Sequence, residues 1–199
     1  VGVSKLLGPD SQQIYVVATG PGAVCCTNHW VVDITSGNPK IIFRSQDFGS
    51  FRQPMEVFDA NKDGIYELVQ FDSCMRYFGN DCGSCSPAPR ANFRYDKAKG
   101  KYFPAKRVVQ DFVKDQFTNS EKWIEEKYKQ WIETQDLTLR VDLRRSVVAH
   151  VADLLHVGEE KRAWKLFGKY RGIVDYGDRK EIKRRLADCK FYKAIKSRK

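Results

Sequence analysis

The chain has 199 residues, with 35 Lys and Arg against 25 Asp and Glu, for a formal charge of +10. That length buries a core as one large domain or two small ones, and 42% hydrophobic with 13% aromatic residues excludes a disordered chain. Gly and Pro, at 14 and 7, exclude collagen-like and linker-dominated architectures, and no apolar run approaches the ~20 residues of a membrane-spanning helix.

Val1 stands where an initiator Met would, with no charged and then apolar leader after it, which suggests a processed or trimmed chain. Ile14-Tyr15-Val16-Val17-Ala18 is a short β-branched run closed by Gly20-Pro21-Gly22. His29 to Ile34 follows, ending at Ser36-Gly37-Asn38-Pro39, and then Lys40-Ile41-Ile42-Phe43-Arg44. Turn residues between every pair of runs predict antiparallel strands joined by hairpins. Asn92 to Tyr95 and Lys101 to Phe103, either side of Asp96-Lys97-Ala98-Lys99-Gly100, predict a further hairpin.

Phe58-Asp59-Ala60-Asn61-Lys62-Asp63-Gly64-Ile65-Tyr66-Glu67-Leu68 is the most specific segment. Oxygen-bearing side chains alternate at Asp59, Asn61 and Asp63, so a tight loop can aim all three at one centre. Gly64 permits the turn back, and the Ile65 carbonyl and Glu67 carboxylate can complete the shell. Six to eight oxygens at ~2.3–2.6 Å are what calcium takes. An EF-hand would close with a Glu at position 70, which is Gln70, and its flanks would be helices, whereas Met55 to Phe58 and Tyr66 to Phe71 read as strands. The segment therefore resembles the D-x-[DN]-x-D-G-x-x-[DE]-L loops of FG-GAP/VCBS-type repeats, on Asp59, Asn61, Asp63, Gly64, Glu67 and Leu68. That resemblance implies blade-like β structure, calcium used for rigidity, and the company of integrin-like propellers and exported bacterial proteins. A propeller repeats such blades, and this chain shows one such loop. The competing reading is a metal-free turn whose carboxylates cap backbone N–H groups and pair with Lys62.

Five of six cysteines, Cys25, Cys26, Cys74, Cys82 and Cys85, cluster in the β half and predict structural disulfides in an exported protein. A zinc site from Cys82 and Cys85 with Cys25 and Cys26 competes, although adjacent cysteines diverge in a strand. Redox use of Cys82 and Cys85 would need a helix after the motif, where Ser86-Pro87-Ala88-Pro89 stands instead. Cys189, following Ile182 and Leu186 at helical spacing, reads as a small buried apolar residue.

After Pro104 the period becomes helical. Trp123, Lys127 and Trp131 with Ile124, Tyr128 and Ile132 form two columns at spacing four. Leu143, Val147, Val151 and Leu154 mark a second helix, and Ala163 to Tyr170, after Gly158, a third. The stretch from Arg179 to Lys199, read as one last helix and its tail, holds ten bases and two acids, so the chain's charge excess sits there. Lys183, Arg184, Arg185, Lys190 and Lys193 are its candidate anion-binding residues. A solvated face with a frayed tail is the alternative.

Catalytic patterns are missing. His150 and His156 are six apart, off the i, i+4 spacing of a helical zinc motif, and His29 sits beside Trp30 in a strand, so all three read as ordinary histidines. Asp47 to Phe51 lacks the second Gly of a nucleophile elbow, and no phosphate-binding Gly-rich loop occurs. The whole predicts an α+β chain, with an antiparallel β-sheet (blade-like or a small sandwich) over residues 1–106 and a helical domain over 107–199. The expected role is a non-catalytic binding or scaffold protein, periplasmic or extracellular, braced by calcium. An anionic-polymer or nucleic-acid binder working through the basic end comes second, and an unrecognised hydrolase built from acids such as Asp33, Asp47 and Asp72 third.

Overall fold

A computed structural model describes residues 2–19, 27–49, 51–82, 85–105 and 110–197. Cys25, Cys26 and the Gly20-Pro21-Gly22 turn lie outside them, as does the expected boundary at residue 106. Eight strands come first: β1 (Gly2–Ser4), β2 (Gln13–Thr19), β3 (Thr27–Asp33), β4 (Lys40–Arg44), β5 (Phe51–Phe58), β6 (Glu67–Asp72), β7 (Arg90–Asp96) and β8 (Lys101–Pro104). Every pairing is antiparallel. β1 to β4 make one four-stranded sheet and β5 to β8 another, and β3 and β5 link them into one path, pairing among the described residues at Thr27 with Phe51. The predicted hairpins are present, because β-branched and aromatic runs alternate with turn-forming residues throughout this half.

The two sheets share one apolar core. Phe43 of β4 meets Phe93 of β7 edge-on at 4.9 Å between ring centroids and Tyr102 of β8 at 6.1 Å. Val31, Ile42, Met55, Leu68 and Ala91 fill the space around them.

Five helices follow: α1 (Gln110–Thr134), α2 (Leu137–His156), α3 (Glu160–Lys169), α4 (Tyr176–Asp188) and α5 (Lys190–Ser197). The Asp136 carboxylate caps α2 by accepting from the N–H groups of Thr138 at 2.7 Å and Leu139 at 3.2 Å. Gly158, at φ +84°, takes the left-handed conformation that ends α2 and starts the chain toward α3. Asp175 and Asp178 form a reciprocal capping box at the start of α4. Asp178 also holds Arg144 of α2 through Nε at 3.1 Å and Nη2 at 2.5 Å. Leu143, Val147, Val151 and Leu154 of α2, Ala163 of α3 and Ile182 of α4 build the helical core.

The last helix of the sequence reading is two helices. α4 stops at Asp188 because Cys189 is extended, at φ −69° and ψ +118°, and the Cys189 carbonyl then accepts from Lys193 N–H to begin α5. The break turns α5 onto the sheets, where Phe191 meets Phe93 at 5.3 Å and Ile195 joins the same core. In exchange Met75 and Phe78, which follow β6, sit in the helical core. The two cores therefore trade residues at one seam, between the end of β6 and the α4–α5 break.

Phe191→Ala should cost about 3–5 kcal/mol in urea unfolding, since it removes a fully buried ring, whereas exposed Lys193→Ala should change stability by less than about 0.5 kcal/mol. Equal small losses in both would show that α5 does not pack on the sheets.

Candidate metal centre

The seam is polar at its centre. Along β6 the side chains of Leu68, Gln70 and Asp72 share a face by strand alternation, and all three are buried. Asp72 ends the strand, its N–H donating to the Pro89 carbonyl at 2.7 Å. Its Oδ1 accepts from Cys74 N–H at 2.9 Å, a local turn that brings the Cys74 side chain alongside. Cys189, in the α4–α5 break, puts its sulfur 2.9 Å from Asp72 Oδ2.

His156 arrives from the last turn of α2. One turn earlier Asp153 Oδ1 accepts from Arg90 N–H at 2.5 Å, and the Arg90 carbonyl lies 2.9 Å from His156 Nδ1. Two side chains of one helix thus take both backbone groups of the first residue of β7, which fixes the imidazole. A carbonyl only accepts, so Nδ1 carries a proton, and in the neutral ring Nε2 presents a lone pair. Nε2 is buried without a hydrogen-bond partner of ordinary geometry, beside the Cys189 sulfur. Phe191, at 4.9 Å between centroids, closes over the ring.

One ligand atom each from Asp72, Cys74, His156 and Cys189 lies within 4.8 Å of every other. Zinc holds sulfur at ~2.3 Å and nitrogen or oxygen at ~2.0–2.2 Å, so its tetrahedral ligands stand ~3.3–3.8 Å from one another, within that spread. Two sulfurs, one imidazole nitrogen and one carboxylate oxygen suit zinc and repel calcium, which takes oxygen alone. The Arg90 carbonyl on Nδ1 and the Cys74 N–H on Asp72 are the outer contacts that such ligands use to keep their orientation.

A hydrogen bond from Cys74 holds the Cys189 thiol down at about 4, against the cost of burial and with help from His156. The same bond, then burial and Asp72, pushes Cys74 well up. Burial, then the Cys189 charge, raises the Asp72 carboxyl. Burial works to lower His156, but the Cys189 hydrogen bond and the Asp72 and Cys189 charges outweigh it and leave the imidazole raised. These are groups that hold and share protons in a dry place, and a dication bound there would have to displace those protons. A cysteine–histidine–aspartate nucleophile needs the carboxylate on the imidazole. Here the carboxylate touches the thiol instead, and a backbone carbonyl orients the ring.

An open cavity of about 510 Å³ reaches the cluster from solvent, lined by Asp72, Ser73, Cys74 and Cys189 with Arg184, Arg185 and Lys190 among its walls.

The acidic loop forms between β5 and β6, away from this seam. Asp59 accepts from the N–H groups of Asp63 at 3.0 Å and Gly64 at 2.8 Å, Asp63 from Ile65 N–H at 2.9 Å, and Glu67 from Ala60 N–H at 3.1 Å. Asn61 donates to Asp63 Oδ2 at 2.8 Å. Gly64 sits at φ +78°, the left-handed turn the pattern calls for. The cation beside the loop carboxylates is Arg94 of β7, 3.6 Å from Asp63 and 3.7 Å from Glu67, where the sequence suggested Lys62.

Among the disulfide candidates, Cys82 and Cys85 are bonded to each other, so they do not supply a zinc half-site with Cys25 and Cys26. Cys74 is a free thiol in the cluster, not a disulfide half. Cys189 is buried, as read, but beside a carboxylate and an imidazole, and His156 is no ordinary histidine. Of the anion-binding candidates, Arg184 pairs with Glu181 at 2.7 and 2.8 Å. Arg185 pairs with Glu181 at 2.5 Å and donates to the Arg76 and Tyr77 carbonyls. Lys183 lies over the Trp164 ring, while Lys190 borders the cavity and Lys193 is exposed.

No family model, curated protein or solved structure matches this chain. No described helix is long and apolar enough to cross a membrane. The site's own chemistry therefore carries the functional argument.

Proposed function

We propose that the protein is a non-catalytic binding or scaffold protein, working outside the cytoplasm, whose strands and helices are clamped together by one zinc ion on Asp72, Cys74, His156 and Cys189. The convergence of those four side chains within 4.8 Å carries the reading. Four protein ligands make a closed, structural site. Structural zinc binds peptides with about 10–16 kcal/mol of apparent free energy, as much as a whole domain's stability of about 5–15 kcal/mol. Such a clamp decides whether the seam forms. The Cys82–Cys85 bond and the FG-GAP-like loop support an exported location.

The acidic loop supports calcium as a second, weaker ion, on Asp59, Asn61, Asp63, the Ile65 carbonyl and Glu67. Its favouring observation is the left-handed turn at Gly64, round which Asp59 and Asp63 accept from backbone N–H groups of the loop. Arg94 is then a competing cation, and calcium shares or displaces it. An acidic polymer on the stretch from Arg179 to Lys199 is the remaining role, with Lys190 and Lys193 as its freest charges, since Arg184 and Arg185 already hold Glu181.

Protein purified without chelator should carry one zinc per chain by elemental analysis, and Cys189→Ser or His156→Ala should lower that at least tenfold. Equal zinc in wild type and in the Cys74→Ser, Cys189→Ser double variant would overturn the assignment. Calcium up to about 10 mM, an order above the weak extracellular range, should raise the melting temperature. Arg94→Ala should bring that rise to lower calcium, and Asp59→Ala with Asp63→Ala should abolish it. A melting temperature indifferent to calcium in wild type and in Arg94→Ala would rule the loop out as a calcium site.

A further inference from the structure

We propose that Cys74 and Cys189 are also a peroxide-reactive pair, and that oxidation joins them in a disulfide and expels the zinc ion. The proposal rests on the zinc reading and extends it to the regulation of the same site. Three observations carry it. Both sulfurs lie within 4.8 Å of each other, so a bond between them needs only a short approach. Both residues line a cavity that opens the cluster to solvent, so a small oxidant can reach them. Cys82 and Cys85 are already spent on each other, which leaves Cys74 and Cys189 as the free thiols among the described residues.

As zinc ligands both sulfurs are thiolates, and both line the cavity the oxidant enters. One thiolate attacks one oxygen of hydrogen peroxide, the O–O bond breaks, and the departing hydroxide takes a proton and leaves as water. That sulfur is then a sulfenic acid. The other thiolate attacks it, the S–O bond breaks, and the second hydroxide leaves as water with another proton. Two thiolates have lost one electron pair in all, and peroxide has gained it. Zinc keeps its charge throughout. It loses both sulfur donors, and Asp72 with His156 alone make half of a tetrahedral shell.

The exchange replaces one clamp by another. With zinc bound, the end of β6 is tied to the α4–α5 break through the ion, and after oxidation the same two points are tied by a covalent bond. The seam is then held in a reducing medium that supplies metal and in an oxidising one that does not. Metal content, not the fold, is what oxidation reports.

The test uses zinc-loaded wild-type protein and hydrogen peroxide at one to a few equivalents, with dithiothreitol as the reversing arm. Zinc release is followed with a colorimetric chelator, and sulfur pairing by peptide mass mapping without reduction. The expected result is one zinc released per chain in step with a peptide linking Cys74 to Cys189, and recovery of bound zinc after dithiothreitol and added zinc. Circular dichroism should change little, because the seam stays tied. The Cys189→Ser variant should stop at a sulfenic acid on Cys74 that dimedone traps, and the wild-type mapping stands even if that variant fails to fold. Zinc that stays bound under peroxide would overturn the exchange and leave the zinc reading intact. Zinc lost with both sulfurs carried to sulfinic or sulfonic acid, or with Cys74 linked to another cysteine, would overturn it as well. A wild-type preparation that takes up no zinc before any oxidant is added would instead overturn the zinc reading, and the release step with it.

Discussion

A carboxylate, two thiols and an imidazole meet where the end of β6, the last turn of α2 and the α4–α5 break come together. Three of the four are nearly inaccessible to water, and Cys74 is half-buried. Burying such groups without compensation costs several kcal/mol for each charge. The chain has nonetheless spent backbone contacts on orienting them. Arg90 gives its carbonyl to His156 and its N–H to Asp153, and Cys74 gives its N–H to Asp72. A dication at the centre would turn this liability into a strong tie between the strands and the helices.

Around that point the apolar packing is interleaved. Phe191 and Ile195, from the end of the chain, complete the core of the sheets, and Met75 and Phe78, from the middle, complete the core of the helices. Cys74 and Tyr192 pack against both. A metal at the seam would fix the crossing point of two segments whose apolar side chains are each other's core. Arg185 adds to this from α4, reaching the carbonyls of Arg76 and Tyr77 just after β6. Losing the ion would therefore be felt in both cores at once.

The strands were readable because each signal is local. Ile14 to Ala18, His29 to Asp33 and Lys40 to Arg44 alternate with turn residues, and they pair as neighbours. The long helices were readable from columns at spacing four, and the acidic loop from six residues in one turn. The four-residue centre was not, because its members are spread over the chain, Asp72 and Cys189 standing 117 positions apart. Each looked ordinary alone: Asp72 as one acid among many, Cys74 as half of a disulfide, His156 off the i, i+4 register, Cys189 as a small apolar residue. The one local hint was Asp72-Ser73-Cys74 at the end of a strand, two ligand types two positions apart. The break at Cys189 escaped for a related reason. Helical periodicity runs through Ile182, Leu186 and Cys189, and only the packing of Phe191 on the sheets interrupts it. Arg94 in place of Lys62 beside the loop is likewise a matter of strand pairing, since β7 lies next to β6.

The central claim is that these four side chains hold one metal ion in a closed tetrahedral shell. Cobalt(II) substituted for zinc reads that shell directly, through its visible absorption. The account predicts the intense ligand-field bands of a four-coordinate site together with a thiolate-to-cobalt charge-transfer band in the near ultraviolet, both absent in the Cys74→Ser, Cys189→Ser double variant. A weak, octahedral spectrum without the charge-transfer band, unchanged in that variant, would contradict it.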